Sequence, residues 1–275
     1  MRRPARRQLH RARLPARLLS ALRGLPLGWQ LALLALVLLS VGLAVNFAYQ
    51  VARKPAELFF PVSGALDKTP AETWRRYGPV FRANSTGVIT PDFLAALAQV
   101  EGSGNPVART YWRWRLTVEP WEIYRPASSA VGMYQITDGT FREARRYCIR
   151  GHAVVEDGPW HDWRSCWFNG FYMRVLPGHA AELTSAFLDR RVSEILAGRR
   201  PVALQQKQDL AAVIHLCGAS AGEAYVRRGF RPAAGQRCGS HGLAGYLARV
   251  NGLKKIFQEM AKNDEGRRFP SHGGA

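Results

Sequence analysis

The chain has 275 residues, and 39 Lys and Arg against 20 Asp and Glu give it a formal net charge of +19. Hydrophobic residues make up 47% of the sequence and aromatic residues 11%, which is enough apolar material for a packed core. This composition excludes a disordered or low-complexity chain. The 26 Gly and 16 Pro follow no period, so collagen-like and repeat architectures are excluded as well.

The basic excess is concentrated at the N-terminus, beside an uncharged apolar segment. Eight arginines between Arg2 and Arg23 precede the first acidic residue, Glu57, and residues 27–51 carry no charge. An apolar segment of about 20 residues spans a bilayer as a helix. Arginines on one flank favour retention of that flank in the cytoplasm, so we expect a single-pass inner-membrane protein with its following domain in the periplasm.

Two other interpretations of this region were considered. The small residues Gly42, Leu43 and Ala44 resemble a signal-peptide cleavage site, but the basic region and the apolar segment are both longer than signal peptides have. Arginine-rich arms also bind nucleic acid. Beside a membrane span, orientation and anionic lipid explain the charge more simply, so we expect no nucleic-acid partner.

The four cysteines lie on the expected periplasmic side. Two disulfides are therefore predicted, with three connectivities open, and pairing of sequence neighbours, Cys148 with Cys166 and Cys217 with Cys238, is the simplest. The alternative is a zinc site of Cys148, His152, His161 and Cys166, whose spacing fits no standard zinc module. We expect no metal and no cofactor.

The remaining patterns predict a mainly α-helical domain. Five regions are expected: a basic tail (1–26), a transmembrane helix (27–51), a linker (52–70), one domain (71–262) and a flexible tail (263–275). Thr90, Pro91 and Asp92 begin a helix by their capping pattern. Residues 110–126 alternate as in a hairpin, and further helices are expected from residue 137 or 138 to 148, at 179–196, at 204–216, and from 243 to about 260.

Glu101 is distinctive among the acidic residues. It follows Leu97 by four positions on the apolar side of the helix that starts at Pro91, so its carboxyl should point inward. Loss of hydration disfavours the charged form of a carboxyl, and a protonated carboxyl can donate a proton to a bridging glycosidic oxygen. Taken alone, Glu101 is better interpreted as a helix-end carboxylate neutralised by an arginine.

Three segments resemble the soluble lytic transglycosylase family, which is related to goose-type lysozyme. Glu101, Ser103 and Asn105-Pro106 match a Glu-Ser…Asn-Pro motif, and Gly132-Met133-Tyr134-Gln135 matches Gly-Leu-Met-Gln about thirty residues later. Ile214 to Gly218 loosely matches Ala-Tyr-Asn-Ala-Gly. The resemblance covers residues 88–260 and implies a lysozyme-like α-helical fold with a small hairpin.

The resemblance also implies an activity. Family members cleave the β-1,4 bond between N-acetylmuramic acid and N-acetylglucosamine in peptidoglycan and form a 1,6-anhydro product. Glu101 would be both acid and base, which would explain why no obvious partner carboxylate is present, whereas the usual glycosidase has two. Substrate contacts would come from Ser103, Gly132, Met133, Tyr134, Gln135 and His215. An envelope-spanning machine is a candidate partner beside the glycan strands.

Departures from the family pattern keep other functions open. Gly102 replaces Ser after the glutamate, Tyr134 replaces Met, and His215-Leu216 replaces Tyr-Asn, whose tyrosine orients the family's glutamate. An inactive peptidoglycan-binding or scaffold protein of the same fold is therefore one alternative. A hydrolytic lysozyme-like muramidase is another, with Glu119 or Glu122 activating water. Trp112, Trp114, Trp121 and Tyr124 around them could stack on sugars or cover the core.

Overall fold

The computed structural model describes residues 24–59, 61–159, 161–162 and 164–268, with side chains up to residue 264 in the last helix. The predicted basic tail lies outside this range up to residue 23. The described part is mainly helical, as predicted. Its helices are α1 (Leu27–Arg53), α2 (Pro70–Ala83), α3 (Pro91–Gly102), α4 (Asp138–Ala144), α5 (Pro177–Leu196), α6 (Leu204–Cys217), α7 (Ala219–Arg227) and α8 (Leu243–Arg268). Short strands pair antiparallel as β1 (Trp112–Trp114) with β2 (Tyr124–Pro126), β3 (Tyr147–Arg150) with β4 (Ala153–Glu156), and β5 (Arg237–Cys238) with β6 (His241–Gly242).

Helix α1 agrees with the predicted apolar helix and is long and apolar enough to cross a membrane. Nearly all of its apolar side chains are exposed, which distinguishes it from a buried core helix. The two buried residues in it are polar, Asn46 and Gln50, and both lie near its C-terminal end. The helix is therefore packed against the rest of the protein at that end.

Helix α3 forms the centre of the domain. Residues 93–98 are all buried, because α2 and α8 pack against this helix. The predicted start is confirmed, since Thr90 is the N-cap residue and Pro91 the first helical residue. The Thr90 hydroxyl does not cap the helix; it accepts a hydrogen bond from Gln208 Nε2 at 2.9 Å and so ties α3 to α6.

The segment predicted to be a linker is packed on the domain. It contains two short 3₁₀ turns, Pro55–Phe59 and Ser63–Leu66, in which Ala56, Glu57 and Ser63 are buried. A spacer that held the domain away from the bilayer would leave these side chains in water. The segment is therefore part of the folded unit and not a free tether.

Two predicted helix ends differ from the structure. The helix expected to reach Cys148 ends at Ala144, and the chain then forms the β3–β4 hairpin. The last helix continues past Asn263 to Arg268, where a flexible tail was predicted; residues 269–275 lie outside the described range.

Both predicted disulfides are present. Cys148 is bonded to Cys166, with Cα atoms 5.5 Å apart, and Cys217 is bonded to Cys238, with Cα atoms 5.4 Å apart. The zinc alternative is excluded for this state because its two thiols are joined to each other. The second bond connects the end of α6 to the β5–β6 ribbon that precedes α8.

Candidate functional site

The site is built around the C-terminal end of α3. The helix ends because Ser103 and Gly104 both adopt left-handed backbone conformations, with φ of 49° and 63°. Their amides donate to Gln99 O and Ala98 O at 3.1 and 3.0 Å, which closes the last turn. A Cβ at position 104 would overlap the Thr73 hydroxyl, so only glycine fits this reversal. The last turn therefore presents Glu101 at a fixed place.

The Glu101 carboxyl lies in a polar cleft. The cleft has a volume of about 400 Å³, and its wall consists of residues from the 3₁₀ turn before α2 and from the chain after α3: Ser63, Gly64, Asp67, Gly102, Ser103, Asn105, Ala108, Arg109, Thr110 and Tyr111. The Glu101 side chain is 15% exposed. Its carboxyl is thus mostly shielded from solvent and is reached through the cleft.

A tyrosine from α8 holds the Glu101 carboxyl. The Tyr246 hydroxyl donates to Glu101 Oε1 across 2.5 Å. Burial, and then the neighbouring carboxylate, raise the pKa of Tyr246 well above its usual value, so the phenol stays a proton donor at physiological pH. Tyr246 lies within the last predicted helix and was not identified as a site residue from the sequence. The available signal was general, since a buried phenol needs a hydrogen-bond partner.

His215, predicted as a substrate contact, lies beside the Glu101 carboxyl. Its Nε2 atom is 3.8 Å from Glu101 Oε1, and its side chain is 9% exposed. This distance is too long for a direct hydrogen bond but within reach of an ion pair when the imidazole is protonated. His215 is therefore close to Glu101, but the hydrogen bond to the Glu101 carboxyl comes from Tyr246.

Ser103 and Asn105 both line the cleft but differ in their contacts. Ser103 lines it, and its backbone carbonyl accepts from the Lys68 amide at 2.8 Å. Asn105 is almost fully buried; its Nδ2 donates to Asp67 Oδ1 at 2.8 Å and to Ser63 O at 2.5 Å. Asn105 thus positions the cleft wall and places the Asp67 carboxylate in the same cleft as Glu101. The sequence analysis did not single out Asp67.

The Gly132–Gln135 segment packs behind the cleft. Met133 and Tyr134 are fully buried in the core, so the prediction that their side chains line a sugar groove is wrong for this structure. The reason is close packing at Gly102, where a Cβ would lie 2.9 Å from Met133 Cα. Met133 therefore supports the end of α3 from behind.

The two ends of this segment are fixed by the backbone. Gly132 has φ of 80°, and a Cβ there would overlap the Arg174 carbonyl, so glycine is required. Gln135 Nε2 donates to Gly132 O at 2.9 Å and to Ala108 O at 3.1 Å. The Gln135 amide therefore holds the backbone at Ala108, which lines the cleft, in place.

The candidate second acids of the hairpin lie elsewhere. Glu122 binds Arg53 at 2.9 Å and also pairs with Arg125, and Glu119 is exposed; neither residue lines the Glu101 cleft. The hairpin aromatics pack on α1 and on each other: Trp112 with Phe47, Trp121 with Tyr49, and Trp114 with Tyr124. Tyr111, just before the hairpin, is the aromatic residue that lines the cleft.

A buried charge cluster joins the cleft wall to the end of α1. Glu57 is completely buried; Lys54 Nζ lies 2.9 Å from its Oε1, and Arg109 Nη1 lies 3.3 Å from its Oε2. Trp112 Nε1 also donates to Glu57 Oε2 at 2.7 Å. Burial lowers the pKa of Lys54 from its usual value, partly offset by Glu57. Because Arg109 also lines the cleft, the cluster connects the end of the apolar helix to the site.

Comparison with known proteins gives no independent assignment. The sequence matches no protein-family model, no curated protein and no solved structure. The resemblance to the lytic transglycosylases therefore depends on the motif residues themselves.

Proposed function

We propose that this protein is a membrane-anchored lytic transglycosylase that cleaves the MurNAc–GlcNAc bond of peptidoglycan. The observation that carries the proposal is the Glu101 carboxyl at the end of the central helix, mostly buried, held by Tyr246 and reached through a polar cleft. A groove-lining carboxyl with its own hydrogen-bond donor fits an acid that acts on a bound polymer.

The reaction needs one acid and no added water. Glu101 donates its proton to the glycosidic oxygen, and the bond from that oxygen to the C1 carbon of N-acetylmuramic acid breaks. The C6 hydroxyl of the same sugar attacks C1 and returns its proton to Glu101, which closes the 1,6-anhydro ring and regenerates the acid. Tyr246, as a neutral donor, keeps the carboxyl oriented through both transfers, and Tyr111 is placed to stack on a sugar face.

Membrane anchoring and periplasmic placement belong to the same proposal. Helix α1 is long and apolar enough for the span, the arginines before it favour the cytoplasmic side, and two disulfides suit an oxidising compartment. Peptidoglycan lies within reach of a domain packed directly on the end of such a helix.

The hydrolytic alternative is favoured by one specific observation. Asp67 lines the same cleft as Glu101 and accepts a hydrogen bond from Asn105. A second carboxylate in a glycosidase cleft can activate water or act as nucleophile. Replacement of Asp67 by Asn should abolish a hydrolase and leave anhydro-product formation by a lyase largely intact.

Incubation of the full chain in detergent with purified sacculi, followed by mass spectrometry of released muropeptides, tests the proposal. Anhydro ends support the lyase and reducing ends support the hydrolase. Binding without release supports the scaffold alternative. Glu101→Gln should abolish release and leave the melting temperature nearly unchanged, because the substitution is almost isosteric.

A matched control is Glu259→Gln, which removes an exposed carboxylate from α8. We expect this control to retain full activity. Retention of activity in Glu101→Gln would show that another group is the acid.

A further inference from the structure

The β1–β2 hairpin is packed along the last two turns of α1. Asn46 Nδ2 donates to Tyr124 O, and Gln50 Nε2 donates to Trp121 O, each across 2.7 Å. Arg53 adds the ion pair to Glu122. Asn46 and Gln50 are buried against the hairpin, so the position of the hairpin along this helix is fixed.

That position coincides with the expected membrane surface. At 1.5 Å per residue, α1 from residue 27 to residue 45 covers about 28 Å, close to the thickness of a bilayer hydrocarbon core. Asn46, the next residue, therefore lies at the outer boundary, and so does Tyr124, which is bonded to it. Lys54 marks the base of the hairpin, because its Nζ donates to Ser128 O at 3.2 Å. The chain from Ser128 to Tyr124 thus runs from the level of Lys54 back to the level of Asn46, where Trp114 pairs with Tyr124.

Three apolar residues towards the distal end of the hairpin are largely exposed. Trp114 is paired with Tyr124 and is 67% exposed, and Leu116 and Val118 are 103% and 99% exposed. Two residues of chain reach at most about 7 Å, so Leu116 lies within that distance of Trp114. In water these exposed apolar surfaces contribute nothing to the hydrophobic free energy of folding, whereas the interfacial layer of a membrane would bury them.

The basic residues of the same segment suit a lipid surface. Arg113 and Arg115 alternate with Trp114 and are exposed. Tryptophan is enriched at membrane interfaces, and arginine extends its charged end to anionic headgroups while its methylene stem lies along apolar surface. Alternation of aromatic, aliphatic and basic residues is the pattern expected for a segment that lies in this layer.

We infer that residues 113–118 insert into the outer interface of the bilayer that α1 crosses, with anionic phospholipid as the partner. This inference rests on the proposed membrane anchoring. The hairpin is then a second point of attachment that prevents the domain from tilting freely about α1. Because Arg109 and Tyr111 of the cleft wall lead directly into β1, the second attachment also sets the height and direction of the cleft above the membrane.

A fluorescent label measures the depth directly. Leu116→Cys carries an environment-sensitive NBD group in the full chain, reconstituted in nanodiscs of phosphatidylethanolamine and phosphatidylglycerol. Lys255→Cys, exposed on α8, is the aqueous control, and Leu38→Cys, near the middle of α1, reports on the span itself. Doxyl groups on the lipids quench labels in the bilayer, and iodide quenches labels in water.

The expected result is quenching of the label at position 116 by shallow doxyl lipids, with iodide quenching reduced several-fold relative to position 255. Iodide quenching at 116 equal to that at 255, with position 38 protected, would overturn the inference and leave the anchor intact. Iodide quenching at position 38 would instead overturn the anchor. Protection of position 116 from iodide without doxyl quenching would mean that protein covers the hairpin, which also contradicts insertion into lipid.

Discussion

Two buried tyrosines, Tyr134 and Tyr246, provide the sharpest test of the site geometry. No described residue makes a hydrogen bond with the Tyr134 hydroxyl, whereas the Tyr246 hydroxyl donates a hydrogen bond to Glu101. The same chemical change, tyrosine to phenylalanine, should therefore have opposite effects on the free energy of unfolding at the two positions.

The magnitudes follow from the partners. An unsatisfied buried hydroxyl costs about 1–3 kcal/mol, and the space left by one oxygen costs a few tenths, so Tyr134→Phe should stabilise by roughly 1–2 kcal/mol. Tyr246→Phe removes a hydrogen bond to a carboxyl oxygen, worth about 1.5–3 kcal/mol when the acceptor is charged. For a domain of this size, 1 kcal/mol shifts the melting temperature by about 2–4 °C.

Thermal unfolding of the full chain in detergent, followed by near-ultraviolet circular dichroism, measures both changes. Peptidoglycan release should survive Tyr134→Phe and fall in Tyr246→Phe, since only the second variant loses a contact to the proposed acid. A lower melting temperature for Tyr134→Phe would show that its hydroxyl has a partner. Loss of activity in that variant would restore the original assignment of Tyr134 to substrate binding.

The dependence of stability on alkaline pH is a second test of the burial of Tyr134 and Tyr246. Burial raises the pKa of Tyr134 and Tyr246 well above 10, so each folded-state pKa lies above its unfolded value. Below about pH 10 both phenols are protonated in the folded and the unfolded chain. Above it the unfolded chain releases protons that the folded chain retains, so the free energy of unfolding falls by about 1.4 kcal/mol per pH unit for each group. Each phenylalanine variant should lose stability less steeply than the wild type above pH 10, and parallel curves would contradict the burial of these hydroxyls.

Two further predictions concern the framework around the site. Gly132→Ala should lower stability by about 2–4 kcal/mol, because it adds the cost of a left-handed backbone to an overlap with the Arg174 carbonyl. The control Gly245→Ala, in a helix with no neighbouring atom within 4 Å, should be neutral or stabilising, and equal melting temperatures for the two variants would refute the packing argument. Replacing both Cys217 and Cys238 by Ser opens a loop of 21 residues and should cost about 3 kcal/mol, measured by urea unfolding; no change in the midpoint would contradict the bond.

Local sequence signals predicted much of the secondary structure. The apolar segment predicted α1, the capping residues predicted the start of α3, and alternation predicted the β1–β2 hairpin, because each pattern lies within one element. The capping box of Thr69 and Glu72 at the start of α2 was missed, because it spans the boundary drawn between the linker (52–70) and the domain (71–262). The β3–β4 hairpin was missed because its turn, with left-handed Gly151 and His152, lies within a segment whose preceding residues favour a helix.

The sequence alone predicted that Glu101 lies at the end of a buried helix, because helical spacing is a local property, and it offered pairing of neighbouring cysteines as the simplest of three connectivities. Only the tertiary structure decided what surrounds the carboxyl. Tyr246 is 145 positions away from Glu101, and Asp67 reaches the cleft through Asn105, 38 positions away. The tertiary structure also buries Met133 and Tyr134 in the core. No periodicity encodes such contacts, since they depend on how helices pack at their ends, where one glycine at position 102 lets two segments approach closely.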